Sequence, residues 1–362
     1  MFQLFLKQVV AFFLTLSMTV APFIGALRPG GKNAYFEDWS ADQTFSADYC
    51  VRMDKDPDKD FVVLNLTDIQ MQDEETFGRV GAQVKGTIDK LIEETEPDLI
   101  TVTGDNAWQF LSYNETIKML DSYGIPWAPV MGNHDGQGCP SEFWCAYNFY
   151  KAENCLFKFG PKDMGYGNYI IQIFENDKIV HTLYMMDTHS SIEEDNCNGK
   201  KDEGYDHLWE NQMEWYTWAV NGTNKLAGKP VESTVYFHIP VREYVDAWKM
   251  VTGDGKSGSP IRAEYAETCF GEKGESECCP PANNGFFALM QRLGSTKNVI
   301  VGHDHVNSYS VPYQGIRLTY GLKTGEACYW EPDRSGGTTL TVGSDGVGTV
   351  AHHYVDTASL PY

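Results

Sequence analysis

The chain has 362 residues, 42% apolar and 22% charged, with 34 Gly and 16 Pro spread along its length. That is enough for one large or two ordinary folded domains, and it argues against collagen-like, low-complexity and disordered classes. Fifty acidic against 28 basic residues leave a formal net charge of −22, which repels a nucleic-acid backbone or an anionic membrane surface, so no nucleic-acid scaffold is expected as a partner.

In chain order, Met1 to about Ala26 reads as a secretory signal peptide, with one positive charge at Lys7 and an apolar run from Val9 to Leu16. The run is shorter than the ~20 residues of a spanning helix and Pro22 interrupts it. No stable membrane span is expected after cleavage, and the mature chain belongs to a secreted or lysosome-like compartment of the secretory pathway. All nine cysteines (Cys50, Cys139, Cys145, Cys155, Cys197, Cys269, Cys278, Cys279 and Cys328) lie beyond that segment, none in a CxxC pair. Disulfides are expected, of undetermined pairing, with at least one thiol unpaired or intermolecular. Sequons at Asn114 and Asn221 fit a glycoprotein, while a third at Asn65 falls in a predicted buried strand.

Residues 27–60 read as a loosely ordered lead-in, and 61–362 as the folded domain, with a Cys-containing loop insertion at 252–284. Within the domain, short β-branched apolar runs alternate with helix-length amphipathic stretches, the pattern of an α/β protein. Strands are predicted at Phe61–Thr67, Leu99–Thr103, Trp127–Met131, Tyr169–Ile173, Ile179–Met186, Thr234–Phe237 and Asn298–Val301, and helices near 76–95, 114–123, 207–220, 241–250 and 285–293. From Val306 to Tyr354, strand-like runs and Gly-rich turns predict β structure without a helix.

The chemistry lies just past the strand ends. The first three strands run into Asp68-Ile69-Gln70, Gly104-Asp105-Asn106 and Gly132-Asn133-His134-Asp135; the last two run into His238-Ile239-Pro240 and Gly302-His303-Asp304-His305. Ligands bind at the carboxyl ends of strands in open α/β sheets. Oxygen and imidazole donors without thiolate suit divalent Zn, Mn or Fe.

This ordered series resembles the calcineurin-like metallophosphoesterase superfamily over about residues 61–330. Glu96-Pro97-Asp98-Leu99, Gly124-Ile125-Pro126-Trp127, Gly167-Asn168-Tyr169, Phe237-His238-Ile239-Pro240 and Tyr320-Gly321 with Lys323-Thr324-Gly325 are similar to its small purple-acid-phosphatase-like branch of plants and fungi. The resemblance implies a four-layer α/β/β/α sandwich around two divalent metal ions. It implies Asp68 and His305 on the first metal, Asn133, His238 and His303 on the second, and Asp105 bridging both. A carboxylate can share its oxygens between cations about 3.5–4 Å apart, and the two-residue spacing of His303 and His305 puts both imidazoles on one side of an extended segment. His134 is where the family contacts the phosphoryl group or protonates the leaving oxygen, and Asp135 is placed to orient that imidazole.

Two positions depart from the family. Gln70 stands where most relatives have His, so its amide oxygen is the candidate ligand, and Trp108 stands where purple members have a ligating Tyr. The resulting expectation is a secretory-pathway phosphoric ester hydrolase, a phosphomonoesterase in preference, using a dinuclear site and a bridging hydroxide for in-line attack on a phosphorylated small molecule or protein. The alternatives are a phosphodiesterase of the same fold acting on nucleotide, glycerophosphodiester or sphingomyelin-like substrates, and a non-catalytic secreted binding protein whose metal site has decayed. Lys323 is read as reaching a substrate phosphate or lying on the surface, and His352 and His353 as solvated.

Overall fold

A computed structural model describes residues 31–195 and 201–360; the signal pattern and Cys197 lie outside them. The strands are β1 (Cys50–Asp54), β2 (Phe61–Leu66), β3 (Leu99–Thr103), β4 (Trp127–Val130), β5 (Tyr169–Glu175), β6 (Lys178–Met185), β7 (Ser191–Asp195), β8 (Lys201–Tyr205), β9 (Glu232–Tyr236), β10 (Thr296–Val301), β11 (Ser310–Tyr313), β12 (Ile316–Tyr320), β13 (Gly336–Val342) and β14 (Gly348–Tyr354). The helices are α1 (Arg79–Thr95), α2 (Phe110–Ser122), α3 (Glu142–Lys151), α4 (Glu210–Ala227), α5 (Glu243–Thr252) and α6 (Phe286–Leu293).

Two sheets carry the domain, one of order β14-β13-β2-β3-β4 and one of order β1-β5-β6-β9-β10-β12-β11. In the first, β2, β3 and β4 are parallel. They are covered on both faces, which is why Leu99–Thr103 is buried at every position and reads as an unbroken apolar run. The second sheet shows the period of two. Ile171, Leu183, Met185, Tyr236 and Ile300 join the core of the first sheet with Val63, Leu64 and Val102. Their neighbours Ile170, Tyr184, Val235, Val299 and Val301 face the other way, against Trp215, Trp248 and Phe286 of α4, α5 and α6. On the first sheet, α1 lies against β2 and β13 and buries Val84, Ile88 and Leu91 at helical spacing. The layers therefore follow the order α/β/β/α, as expected. Among the described residues no helix is long and apolar enough to cross a membrane.

Two expectations are corrected. The lead-in is not loosely ordered at its end, because Cys50–Asp54 forms an edge strand parallel to β5. It is fastened by Lys55, whose ammonium donates to Glu175 (2.7 Å) and Ser344 (3.0 Å) in a site from which its side chain sees no solvent. Trp218 holds the preceding residues by edge contacts with Trp39, Phe45 and Tyr49. Helix α3, with Ser141 as its N-cap, and the β7–β8 hairpin were not anticipated. His352 is not solvated: its ring nitrogens meet Thr338 Oγ1 at 2.9 Å and the Ser308 carbonyl at 2.7 Å. Among the described residues the eight cysteines are not joined to one another.

Candidate metal centre

The ends of β2, β3 and β4 from one sheet meet the ends of β9 and β10 from the other, and each delivers its polar residue to one place. The chain turns sharply there. Asp68, Gln70, Asp105 and His303 adopt φ of 52°, 45°, 47° and 78°, a left-handed conformation that side chains other than Gly rarely hold unless their surroundings fix it. Hydrogen bonds fix these: Asp68 N–H donates to the Gly104 carbonyl, Gln70 N–H to that of Asp105, and His303 N–H to the Asp68 carboxylate. The glycines before the ligands answer to crowding, since a Cβ on Gly104 would lie 2.6 Å from His238 Nδ1 and one on Gly302 would lie 2.0 Å from Thr67 Oγ1.

His238 defines one half of the centre. Its Nδ1 lies 2.8 Å from the Thr103 carbonyl. A carbonyl only accepts, so that nitrogen carries the proton and Nε2 presents its lone pair. Around Nε2 stand Asn133 Oδ1 at 2.9 Å, His303 Nδ1 at 3.2 Å and Asp105 Oδ1 at 3.4 Å. Acceptors do not gather in a buried place without a positive charge among them. In the metal-free chain that charge is a proton: burial opposes it, but the pull and hydrogen bond of Asp105, with Asp68 behind, raise the His238 pKa to about 10. A divalent cation serves better, because N and O ligands each about 2.0–2.2 Å from one ion stand apart by such distances. Burial and the neighbouring His238 push His303 down to about 3, which keeps it neutral, as a ligand must be.

The other half repeats the pattern. Asp68, Asp105 and His305 each bring one ligand atom within 4.8 Å of the others. His305 Nδ1 lies 2.9 Å from the Tyr329 carbonyl, leaving Nε2 to face Asp68 Oδ1 at 3.5 Å. Asp105 spans the halves, with Oδ1 toward His238 and Oδ2 toward Gln70. Burial would raise the pKa values of Asp68 and Asp105, yet the histidines hold both lowered, and so ionised. Gln70 points into the centre, its Nε2 2.7 Å from Asp105 Oδ2, while its buried Oε1 has no partner. The network thus turns the amide nitrogen toward Asp105, and the oxygen would reach a cation there only in the reverse rotamer. The donor set thus fits two divalent cations. The tethering of His238 and His305 to backbone carbonyls is the usual outer support of metal-bound imidazole.

His134 stands beside this centre and is held differently from the expectation. Its N–H donates to Asp105 Oδ1 at 2.8 Å and its ring Nδ1 meets Gln137 Oε1 at 2.9 Å. Asp135 does not orient it. The Asp135 carboxylate is fully buried and accepts from Asn106 N–H, the Asn106 amide and Gly132 N–H at 2.7–2.8 Å, so it ties the ends of β3 and β4 together. Lys323 is neither exposed nor free to meet a phosphate: it is 1% exposed and donates to the Asp68 carbonyl at 2.5 Å.

Sequence reading missed the aromatic partners. Trp108 lies on His134, Tyr205 is edge-on to His303, Tyr329 stacks on His305, and Trp209 stacks on His189, with ring centroids 4.3, 4.3, 4.1 and 3.7 Å apart. Asp304 was also missed. It accepts from Tyr320 O–H at 2.6 Å and from Cys278 N–H at 3.2 Å, anchoring the 252–284 insertion beside the paired histidines. Cys278, His303 and Asp304 likewise bring ligand atoms within 4.8 Å of one another, and His303 Nε2 is buried there without a partner.

The strand ends of the two sheets thus bring together a doubly flanked carboxylate and clustered imidazoles that could hold metal ions. The chain belongs to the calcineurin-like phosphoesterase family, whose model matches residues 61–307. It is 30% identical over 265 residues to "Probable inactive purple acid phosphatase 14" of Arabidopsis thaliana, covering 66% of this chain and 61% of that protein. It is 31% identical over 254 residues to "Phosphatase DCR2" of Saccharomyces cerevisiae, covering 65% and 41%. The match thus spans less than two thirds of those relatives' own length. A dimetal phosphatase from Danio rerio aligns with a TM-score of 0.45 at 11% identity, over 81% of this chain and 98% of that one.

Proposed function

We propose that this chain is a metal-dependent phosphoric ester hydrolase of the secretory pathway, with phosphomonoesters of small molecules or proteins as the favoured substrates. The observation that carries the reading is the buried convergence of Asn133 Oδ1, His303 Nδ1 and Asp105 Oδ1 on His238 Nε2, whose ring already gives its Nδ1–H to the Thr103 carbonyl. Asp68, His305 and the Gln70 amide oxygen would hold one ion, Asn133, His238 and His303 the other, and Asp105 both, the ions being Zn, Mn or Fe. Bound divalent ions supply Lewis-acid charge to a phosphoryl oxygen and lower the pKa of water. The chain's own residues do the rest. Asp105 and Asp68 stay ionised, the two backbone-tethered imidazoles keep their lone pairs inward, and His134 offers a proton to the departing oxygen. Trp108 has no ligating oxygen, so the loaded protein should be colourless.

Gln70 favours a second reading, a binding protein with a decayed site, because an amide is a weaker donor than imidazole. A panel of mono- and bis-p-nitrophenyl phosphate with added Mn, Zn or Fe, at acidic and neutral pH, separates the readings. Faster hydrolysis of the monoester supports the proposal, preference for the diester makes the chain a phosphodiesterase, and hydrolysis of neither with every metal overturns both enzymatic readings.

A further inference from the structure

His134 is restrained at its main chain, at Nδ1 and on one ring face. Its main chain is pinned to the bridging carboxylate by the bond from its N–H to Asp105 Oδ1 (2.8 Å). The Gln137 amide is oriented by its own Nε2, which donates to the Asn133 carbonyl at 3.5 Å, so that Oε1 is left to accept from His134 Nδ1–H at 2.9 Å. The indole of Trp108 covers one ring face, with centroids 4.3 Å apart and planes inclined by 33°. Nε2 has no partner among the described residues. An imidazole whose Nδ1–H is tied has only Nε2 from which to hand on a proton.

We propose that Trp108 is a positioning residue that, with Gln137, fixes the His134 imidazole as the acid for the leaving oxygen, and that the site is thereby built for phosphate esters of alcohols rather than of phenols. The proposal rests on the phosphoesterase reading above. Its chemical basis is that a phenolate of low basicity departs without help, whereas an alkoxide must be protonated as the P–O bond breaks. A well-placed acid therefore matters only for the second kind of ester. Trp108 occupies the position three residues after Asp105, so the same loop carries the bridging ligand and the platform for the acid. No metal contact is asked of the indole. Its face packs on the imidazole as one aromatic ring on another, which limits the ring's rotation about χ2.

The test compares wild type, Trp108→Ala, Trp108→Phe, His134→Ala and the double variant Trp108→Ala/His134→Ala on glycerol phosphate and on p-nitrophenyl phosphate, with metal per chain measured in each. Loss of positioning should lower kcat for glycerol phosphate by roughly 10–100-fold, less than the roughly 10²–10⁴-fold that losing the acid outright costs. KM, metal content and the p-nitrophenyl phosphate rate should hardly move. Trp108→Phe should restore most of the loss, and Trp108→Ala should add nothing once His134 is gone. An equal loss on both esters, a loss of metal, or full additivity with His134→Ala would overturn the proposal. An NMR measurement keeps the readings apart: the His134 Hε1 resonance should carry an aromatic ring-current shift that Trp108→Ala abolishes and Trp108→Phe retains. A wild type that hydrolyses neither ester overturns the phosphoesterase reading and the substrate class. An unchanged Hε1 resonance in Trp108→Ala overturns the positioning role whatever the activity.

Discussion

Asp105 is the residue on which both halves of the centre depend, since one of its oxygens faces His238 and the other faces Gln70. Asp105→Asn keeps the shape but removes the charge and offers only one oxygen. It should reduce bound metal and remove most hydrolysis with little change in melting temperature, readable by elemental analysis and calorimetry; wild-type metal and rate in this variant would exclude the bridge. Gln70→His adds a nitrogen donor where the side chain already points inward, so the first ion should be retained longer during dialysis against a chelator. Equal loss from wild type, Gln70→His and Gln70→Ala would mean that position 70 ligates nothing. Asp135 belongs to a different category. Alanine there strands the Asn106 and Gly132 N–H groups in a fully buried site, at a cost of about 3–5 kcal/mol, so thermal unfolding should report it before any change in proton transfer does. An unaltered melting curve would contradict the tie between β3 and β4.

Among the elements, the candidate site was legible because its residues follow apolar strands, and strand ends in an α/β sheet converge whatever the loops do. Asp68, Asp105, Asn133, His238, His303 and His305 could all be read that way. Asp135 could not, because the residue it holds, Asn106, is 29 positions away and nothing local marks the pair. The same blindness hid Lys323, whose burial depends on the main chain of Asp68. It hid Tyr205 too, which reaches His303 from a hairpin without an apolar run. Strand β1 escaped for another reason: it is a half-exposed edge strand followed by a dense run of charges, and Lys55 in that run looks solvated until the fold supplies Glu175 and Ser344. Lys55→Ala leaves the Glu175 carboxylate without its cation and should lower stability. Chemical denaturation measures this, and a shift of a few tenths of a kcal/mol would show that the pair does not fasten the edge.

Across the whole molecule the two sheets are joined by apolar side chains and by a few buried polar links, of which His181 is the clearest. It extends from β6 to the Gly346 carbonyl at 2.8 Å, between β13 and β14, and also bonds Thr234 of β9 at 3.0 Å. Burial, only partly offset by the bond to Gly346, lowers its pKa from 6.5 to about 4. The unfolded chain therefore takes up a proton below about pH 6.5, whereas the folded chain resists until about pH 4. The stability that neutral His181 supports is complete above pH 6.5 and is lost as pH falls to 4, a change of order 3 kcal/mol. His181→Gln removes the titrating group, so its unfolding free energy should fall less steeply over that interval at matched metal content. Parallel pH profiles would contradict the assignment.

If the strand ends of the two sheets hold two divalent cations, equilibrium dialysis of chelator-stripped wild-type protein against Zn or Mn, followed by elemental analysis, should find two ions bound per chain at saturation; less than one per chain is incompatible with such a centre.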